Sequence, residues 1–235
     1  MEQKKLLGII KKNLPLTDFD FSVFYTETQN CIAIEFKEFK NQLFKEIGCV
    51  ILKNSTIENY YCFITVLEIE TILCPLLRKH GLIGGKEGEL MITSSLQKLD
   101  PELFNSTLNP AYPKVIESEE DVIDLLNDLN NYTTNVAEPF FEKWSDLRIL
   151  NDFLDNCPQM EISNYLGGYG AYSKLLIYKL CNNPKYEEYF TMMYNFAINR
   201  YKENPNGDQV IKQTHDFMID FKEILDKTEA IYNVE

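Results

Sequence analysis

The 235-residue sequence predicts an α+β fold, in which an N-terminal helix and an antiparallel β-meander pack on helices and a C-terminal helical bundle follows. Apolar residues alternate with a period of two in stretches between residues 19 and 67, which predicts strands. From residue 68 onwards they recur mainly at every third or fourth position, which predicts helices. A composition of 45% apolar and 13% aromatic residues is ample for a packed core.

The N-terminal part is predicted to hold one helix and four strands. Residues 3–13 have the spacing of a short amphipathic helix. Residues 19–25 and 32–36 alternate apolar and polar side chains about a polar connector, which is typical of a β-hairpin. Residues 46–52 predict a third strand. Residues 60–67 predict a fourth strand. Its odd and even positions are both apolar, as in a central strand that is covered on both faces.

The middle of the chain is predicted to change from helix to strand and back. A helix starts at Glu68 and ends near Gly81, where a left-handed cap is expected, although Pro75 lies inside it. Residues 89–96 predict a further strand. Ser118, with Asp121 three positions later, then indicates a capped helix start.

The C-terminal half is predicted to be helical throughout. The helix that starts at Ser118 is expected to be interrupted by Pro139, and Ser145 to cap a short helix after it. Three more amphipathic helices follow the glycines near residue 167 and predict a small bundle. We therefore expect an α+β domain over 1–158 and a helical subdomain over 159–235, with the alternative that the two pack as one unit.

Composition and charge exclude several classes of protein. The net charge of −13 and the pI near 4.7 argue against nucleic-acid binding, because that affinity comes largely from lysine and arginine. No apolar run approaches the roughly 20 residues that a membrane span needs. The N-terminus lacks the apolar core and cleavage site of a secretory signal, so we expect a cytoplasmic protein. The six cysteines have no C-x-x-C spacing and are expected to be buried free thiols.

The acidity is concentrated in one segment. Residues 100–165 contain fourteen acidic and three basic side chains, and so hold eleven of the thirteen net negative charges. Such a surface can steer a basic partner, although a solvated helix face is the common explanation. Aromatic residues in the same segment could anchor a partner or pack a core. The candidate partner-binding residues are Glu120, Asp121, Asp124, Asp128, Phe140, Phe141 and Trp144.

A glycine-rich turn before a helix is the main alternative site. Backbone amides at such a turn can approach an anion, and a lysine could help hold it. The turn does not match the P-loop pattern, and a hinge between two helical units is the commoner explanation. The candidate anion-binding residues are Gly168, Gly170, Ser173 and Lys174.

The sequence predicts no metal site, cofactor or catalytic set. Its only two histidines, His80 and His215, fit no zinc or di-iron spacing. His80 is expected to lie in the last turn of a helix, where a cation suits the helix dipole. No cysteine has a local signature that marks it as a nucleophile.

The stretch Pro139-Phe140-Phe141-Glu142-Lys143-Trp144, which follows the acidic capped helix, resembles a segment of bacterial proteins of unknown function. The resemblance covers roughly residues 1–155 and implies an N-terminal helix, a β-meander and a helix that ends in this motif. Some proteins of that kind look like immunity partners of secreted toxins. The resemblance carries no active-site residues.

These observations predict a non-enzymatic cytoplasmic protein that offers an acidic surface to a protein partner, including an immunity-type role. The alternative is an enzyme or small-ligand protein that uses the glycine-rich turn near Lys174. A third possibility is a structural protein that oligomerises through its C-terminal helices. The sequence leaves the oligomeric state open.

Overall fold

A computed structural model describes residues 3–13, 20–26, 31–84, 94–106 and 114–234. The element order is an N-terminal helix, a series of strands and then mainly helices, which confirms the predicted α+β class. The chain divides into two compact units. Unit 1 comprises residues 1–65 and 94–145, and unit 2 comprises residues 66–93 and 146–235.

These units differ from the predicted domains in two places. The division falls between residues 145 and 146, whereas the sequence predicted it after residue 158. Residues 66–93 also belong to unit 2, although they precede the second part of unit 1 along the chain. Composition cannot reveal such an arrangement, because it depends on which distant segments pack together.

Unit 1 is built on a mixed set of strands and helices. Its elements are α1 (Gln3–Asn13), β1 (Asp20–Thr26), β2 (Cys31–Lys40), β3 (Leu43–Ile51), β4 (Thr56–Val66), β5 (Ser94–Ser95), α3 (Leu96–Leu99), α4 (Pro101–Phe104), β6 (Lys114–Val115), α5 (Glu119–Tyr132), a π-helical turn (Thr133–Ala137) and α6 (Glu138–Trp144). The strand order is β1-β2-β3-β4-β5, and β6 also pairs with β4.

The register of the meander explains its alternating pattern. Ile34 lies opposite Cys49 and Phe36 opposite Ile47, and all four side chains are buried. On the other parity Glu35 and Lys37 are polar and half-buried, whereas Cys31 and Ala33 at the start of β2 are buried. The period of two thus holds in the middle of β2, and the start of the strand is covered on both faces.

Helix α5 packs against β4 in the core of unit 1. The ring centroids of Tyr60 and Tyr132 lie 5.1 Å apart, and the Tyr60 hydroxyl donates to the Leu125 carbonyl at 3.2 Å. Leu6 and Ile10 of α1 are also fully buried. The strand predicted to be central is thus covered by a helix on the face that carries Tyr60.

Pro139 does not interrupt the helix as the sequence predicted. A π-helical turn precedes it, in which the backbone N–H of Glu138 donates to the carbonyl of Thr133. A proline inside a regular α-helix clashes with the carbonyl four residues before it, and it also lacks a donor. The wider π turn changes the spacing at this point, so helical backbone continues from α5 into α6.

Two other local predictions need correction. Ser145 does not cap the following helix: Asp146 does, since its carboxylate accepts from the backbone N–H of Arg148. Of the strand predicted over 89–96, residues 89–93 lie outside the described residues, and only Ser94–Ser95 is a strand.

Unit 2 is helical within its described residues. Its elements are α2 (Leu67–Lys79), α7 (Leu147–Asn156), a 3-10 turn (Gln159–Glu161), α8 (Ile162–Leu166), α9 (Gly170–Leu180), α10 (Tyr186–Glu203) and α11 (Gln209–Lys227). Helix α9 is its centre, because eight of its eleven residues are buried and α2, α7, α8 and α10 all pack on it. Pro75 is tolerated in α2 because it lies on an exposed side, where water can satisfy the carbonyl that it leaves unpaired.

The last residues of the chain are attached to the end of α9. Helix α11 ends at Lys227, and Ile231 lies beyond it. The backbone N–H groups of Ile231 and Tyr232 donate to the Leu180 carbonyl at 2.7 and 3.0 Å.

Candidate functional site

An acidic surface follows the first turns of α5 in unit 1. Side chains three or four positions apart lie on one side of a helix, so Glu120, Ile123 and Asp124 adjoin one another and are all exposed. Glu117 extends this surface before the helix and half-buried Asp128 extends it after. We call these five residues the α5 surface: Glu117, Glu120, Ile123, Asp124 and Asp128.

Few cations balance the α5 surface. The Lys114 ammonium lies 4.0 Å from the Asp124 carboxylate and 3.6 Å from that of Asp128. Among the described residues, no ion pair engages Glu117 or Glu120. Solvent-exposed ion pairs at such distances contribute little energy. The α5 surface therefore keeps most of its negative potential.

Asp121 has a different role from its neighbours. Its Oδ2 atom accepts from the backbone N–H groups of Glu117 and Ser118 at 2.9 and 2.8 Å, and its own N–H donates to the Ser118 hydroxyl at 3.1 Å. This is the capping box that the sequence predicts. The backbone hydrogen bond from Glu117, together with those from Ser118, lowers the pKa of Asp121. Asp121 is therefore engaged in starting α5 and is a poor choice for a partner contact.

The predicted aromatic anchors are not available to a partner. Phe140, Phe141 and Trp144 are only 0%, 3% and 4% exposed, so assigning them to a binding surface was wrong. The short helix α6 turns one apolar face into the core of unit 1, and these three side chains make up that face. The Trp144 indole N–H donates to an Asp100 carboxylate oxygen at 3.4 Å. The exposed apolar residue beside the acids is Ile123, at 45% exposure.

The glycine-rich turn does not form the predicted anion site. The backbone N–H of Gly170 donates to the Gly167 carbonyl, and those of Tyr172 and Ser173 donate to the Tyr169 carbonyl, at 2.9 to 3.1 Å. The Ser173 side chain is fully buried, and its hydroxyl also donates to Tyr169. A Cβ at Gly170 would come within 2.9 Å of the Ile162 carbonyl oxygen. The turn therefore serves close packing, and Gly168 is its exposed member.

Lys174, the last residue of that predicted site, points into a different place. Its side chain reaches the floor of a cleft of about 410 Å³ in unit 2. Helices α7, α9 and α10 supply most of the lining, with the 3-10 turn at one end. We call this the Lys174 cleft, and it is lined by Asp155, Cys157, Gln159, Lys174, Tyr178, Lys185, Glu188, Tyr189 and Met192.

The Lys174 ammonium is buried without a carboxylate partner among the described residues. The residue is 6% exposed, and its Nζ atom donates to the Leu154 carbonyl at 2.7 Å. It lies 5.1 and 5.3 Å from the ring centroids of Tyr178 and Tyr189. Burial lowers the pKa of Lys174, and the opposing attraction of the nearby Asp155 and Cys157 only partly offsets this.

Asp155 organises the polar side of the cleft. Its carboxylate accepts from the Tyr178 hydroxyl at 2.5 Å, from the Lys185 ammonium at 2.9 Å and from the Asn183 amide at 3.3 Å. Burial raises the pKa of Asp155, but these three hydrogen bonds together outweigh it and hold the pKa below its ordinary value. The Asp155 charge is therefore compensated by Lys185, while the ammonium of Lys174 is not paired with it directly.

Sequence reasoning identified only one residue of this cleft. Lys174 was named for its position after the glycines, whereas Asp155 lies in α7, Tyr178 in α9 and Lys185 just before α10, with no shared motif. A lysine at the start of an otherwise apolar run, Lys174 to Tyr178, was the one available signal.

The histidines lie outside both candidate sites. His80 follows α2, and its Nε2 atom lies 2.8 Å from the Asp220 carboxylate. The ring of His215 stacks on Tyr201 at 4.2 Å between centroids. Within the described ranges, no group of three or more histidine, cysteine, aspartate and glutamate side chains is arranged to hold a metal ion.

No helix in the described part of the chain is long and apolar enough to span a membrane. Comparison with protein-family models, with curated proteins and with solved structures finds no match to this chain.

Proposed function

We propose that this protein is a non-enzymatic binding protein whose α5 surface receives a basic protein partner. The observation that carries the proposal is the exposed row of carboxylates at Glu117, Glu120 and Asp124, which Lys114 only partly balances. Concentrated charge of one sign accelerates encounter with a partner of the opposite sign. Ile123, exposed among these acids, adds an apolar contact that a partner can bury.

The proposal includes a cytoplasmic location and an immunity-type role. All six cysteines are thiols and form no disulfide, which suits a reducing compartment. The resemblance of the Pro139 to Trp144 stretch to bacterial proteins of the immunity kind supports a partner that is a toxin. An adjacent toxin gene, whose product arrests growth only when this protein is absent, is the expected genetic arrangement.

Charge neutralisation on the α5 surface tests the proposal. The variant Glu120→Gln/Asp124→Asn/Asp128→Asn removes three charges without altering the capping residues Ser118 and Asp121. We expect proteins captured by the wild-type chain from a native lysate, at low salt, to be lost with this variant. Association of an identified partner, measured by surface plasmon resonance, should slow about tenfold, with a weaker salt dependence.

The matched control carries the same change in net charge in unit 2. The variant Glu203→Gln/Glu223→Gln/Glu229→Gln alters three exposed carboxylates. It should capture the same proteins as the wild type, with an unchanged association rate. Equal losses in the two variants would show that total charge, and not the α5 surface, attracts the partner. Equal retention in both would reject the electrostatic contact.

A further inference from the structure

The Lys174 cleft holds a buried positive charge that the protein itself does not neutralise. Charges that are removed from water are normally paired, because an isolated buried ion is costly. Lys174 is 6% exposed, yet no carboxylate of the described residues lies within 4.0 Å of its ammonium. The nearest acidic residue of the lining, Asp155, is already bound to Lys185 at 2.9 Å. The cleft floor therefore has a cation with room for an anion.

The hydrogen-bonding capacity of this ammonium is also incompletely used. A lysine ammonium has three N–H donors, and the carbonyl of Leu154 accepts one at 2.7 Å. The two nearby tyrosine rings stabilise the charge through their faces but accept no conventional hydrogen bond. Two of its three donors therefore have no acceptor among the described residues.

The rest of the lining selects the shape of such a ligand. The faces of Tyr178 and Tyr189 and the thioether of Met192 provide flat or adaptable apolar walls. Gln159 donates to the Tyr189 hydroxyl at 2.8 Å and so holds that ring in place. A volume of about 410 Å³ lies at the lower end of the range of small-molecule sites.

We propose that the Lys174 cleft binds a small molecule with a carboxylate on a flat apolar body, and that Lys174 is its counter-ion. This site lies in unit 2 and is independent of the α5 surface. The remaining charged groups that line the cleft are Asp155 with its partner Lys185 and the exposed Glu188, and the neutral thiol of Cys157 lies beside them. Glu188 disfavours a second negative group on the ligand, so a monocarboxylate fits best.

The first test compares benzoate with benzamide, its neutral analogue of similar shape. We expect benzoate to bind at least tenfold more tightly than benzamide. The dissociation constants are measured by titrating each probe into the 235-residue protein and following the NMR chemical shifts. Lys174→Met should remove this preference and leave benzamide binding unchanged. Lys179→Met, on the same helix but outside the cleft lining, should behave as the wild type. Equal affinity for the two probes, or a preference that survives Lys174→Met, would overturn the proposal.

A second measurement does not depend on a folded variant. A bound carboxylate favours the protonated form of Lys174, whose pKa burial holds below its ordinary value. Benzoate binding at alkaline pH should therefore take up protons, which calorimetry in two buffers of different ionisation enthalpy detects. Binding without proton uptake throughout the alkaline range would contradict the assignment of Lys174 as the counter-ion.

Discussion

At the scale of single residues, the two units use acidic side chains in different ways. Asp121 is engaged by backbone N–H groups at the start of α5. Asp155 is engaged by side chains from α9 and from the turn between α9 and α10. Glu120 and Asp124 remain exposed on the α5 surface. A carboxylate side chain thus starts a helix, connects helices or presents charge to solvent, according to the hydrogen-bond donors that surround it.

The hydrogen bonds of Asp155 predict a pH-dependent contribution to stability. A lowered carboxylate pKa stabilises the folded state above the unfolded pKa of about 4, and this contribution is lost as pH falls through the folded value. Asp155→Asn should lower the free energy of unfolding by about 1 to 2 kcal/mol at pH 7, because its hydrogen bonds with Tyr178 and Lys185 are lost or weakened.

Urea unfolding of both proteins between pH 3 and pH 7 checks this expectation. The difference between wild type and Asp155→Asn should shrink towards pH 3, because the wild-type carboxylate becomes protonated. Glu203→Gln, a neutralisation at an exposed residue of unit 2, should change stability little at either pH. A constant difference across the whole range would contradict the role of the Asp155 charge.

At the scale of elements, periodicity located most helices and strands, and capping located the start of α5. The exceptions occur where the neighbouring structure gives a residue a role that local spacing does not predict. Pro139 is accommodated by the π turn before it, and Asp146 takes the capping position expected for Ser145. Gly48 is a further example, since strand pairing places its Cα close to the Ile34 carbonyl and the Tyr61 hydroxyl.

Two glycine-to-alanine changes in unit 1 should therefore have opposite effects. A Cβ at Gly48 would come within 2.5 Å of the Ile34 carbonyl oxygen and 2.6 Å of the Tyr61 hydroxyl oxygen, so Gly48→Ala should destabilise unit 1 by about 1 to 3 kcal/mol. A Cβ at Gly8, which is exposed in α1, meets nothing within 4 Å. Gly8→Ala should stabilise the unit by about 0.5 to 1 kcal/mol, because alanine is the better helix former.

Chemical denaturation followed by circular dichroism measures both changes under the same conditions. The paired design separates the loss of glycine from the collision that a methyl group causes. A stabilising Gly48→Ala would show that Ile34 of β2 and Tyr61 of β4 can move away from Gly48 at little cost.

At the scale of the whole molecule, burial divides the six free cysteines into two classes. Cys31, Cys49, Cys62, Cys74 and Cys181 are buried, and Cys157 is half-buried in the Lys174 cleft. Burial raises the pKa values of Cys49 and Cys181 to about 12, so their reactive thiolate forms are scarce near neutral pH.

We expect a thiol reagent to modify Cys157 of the native protein readily, and the other five cysteines only when the protein unfolds. Cys157→Ser should abolish the early modification, and peptide mass spectrometry should place it at residue 157. Burial, followed by repulsion from Glu161, raises the pKa of Cys157, so this reaction should accelerate with pH. Rapid modification of a second thiol in the native state would contradict the burial of that cysteine in the core of its unit.

The α+β class and most element positions could be predicted because they depend on local periodicity. The charge of the α5 surface was predictable for the same reason, since Glu120 and Asp124 follow a helix start that Ser118 and Asp121 define. The burial of Trp144 and its neighbours was not predictable, because the spacing of an amphipathic helix does not indicate whether its apolar face packs on a core or binds a partner.

Residues close together in the chain encode the fold class, the capped start of α5 and the concentration of acid around it. Which side chains remain exposed and which converge is set by the tertiary structure. It buried the aromatic motif in unit 1, and it brought Asp155, Lys174 and Tyr189 together in unit 2. The physical reason is that burial and convergence depend on packing between distant segments, which local spacing does not specify.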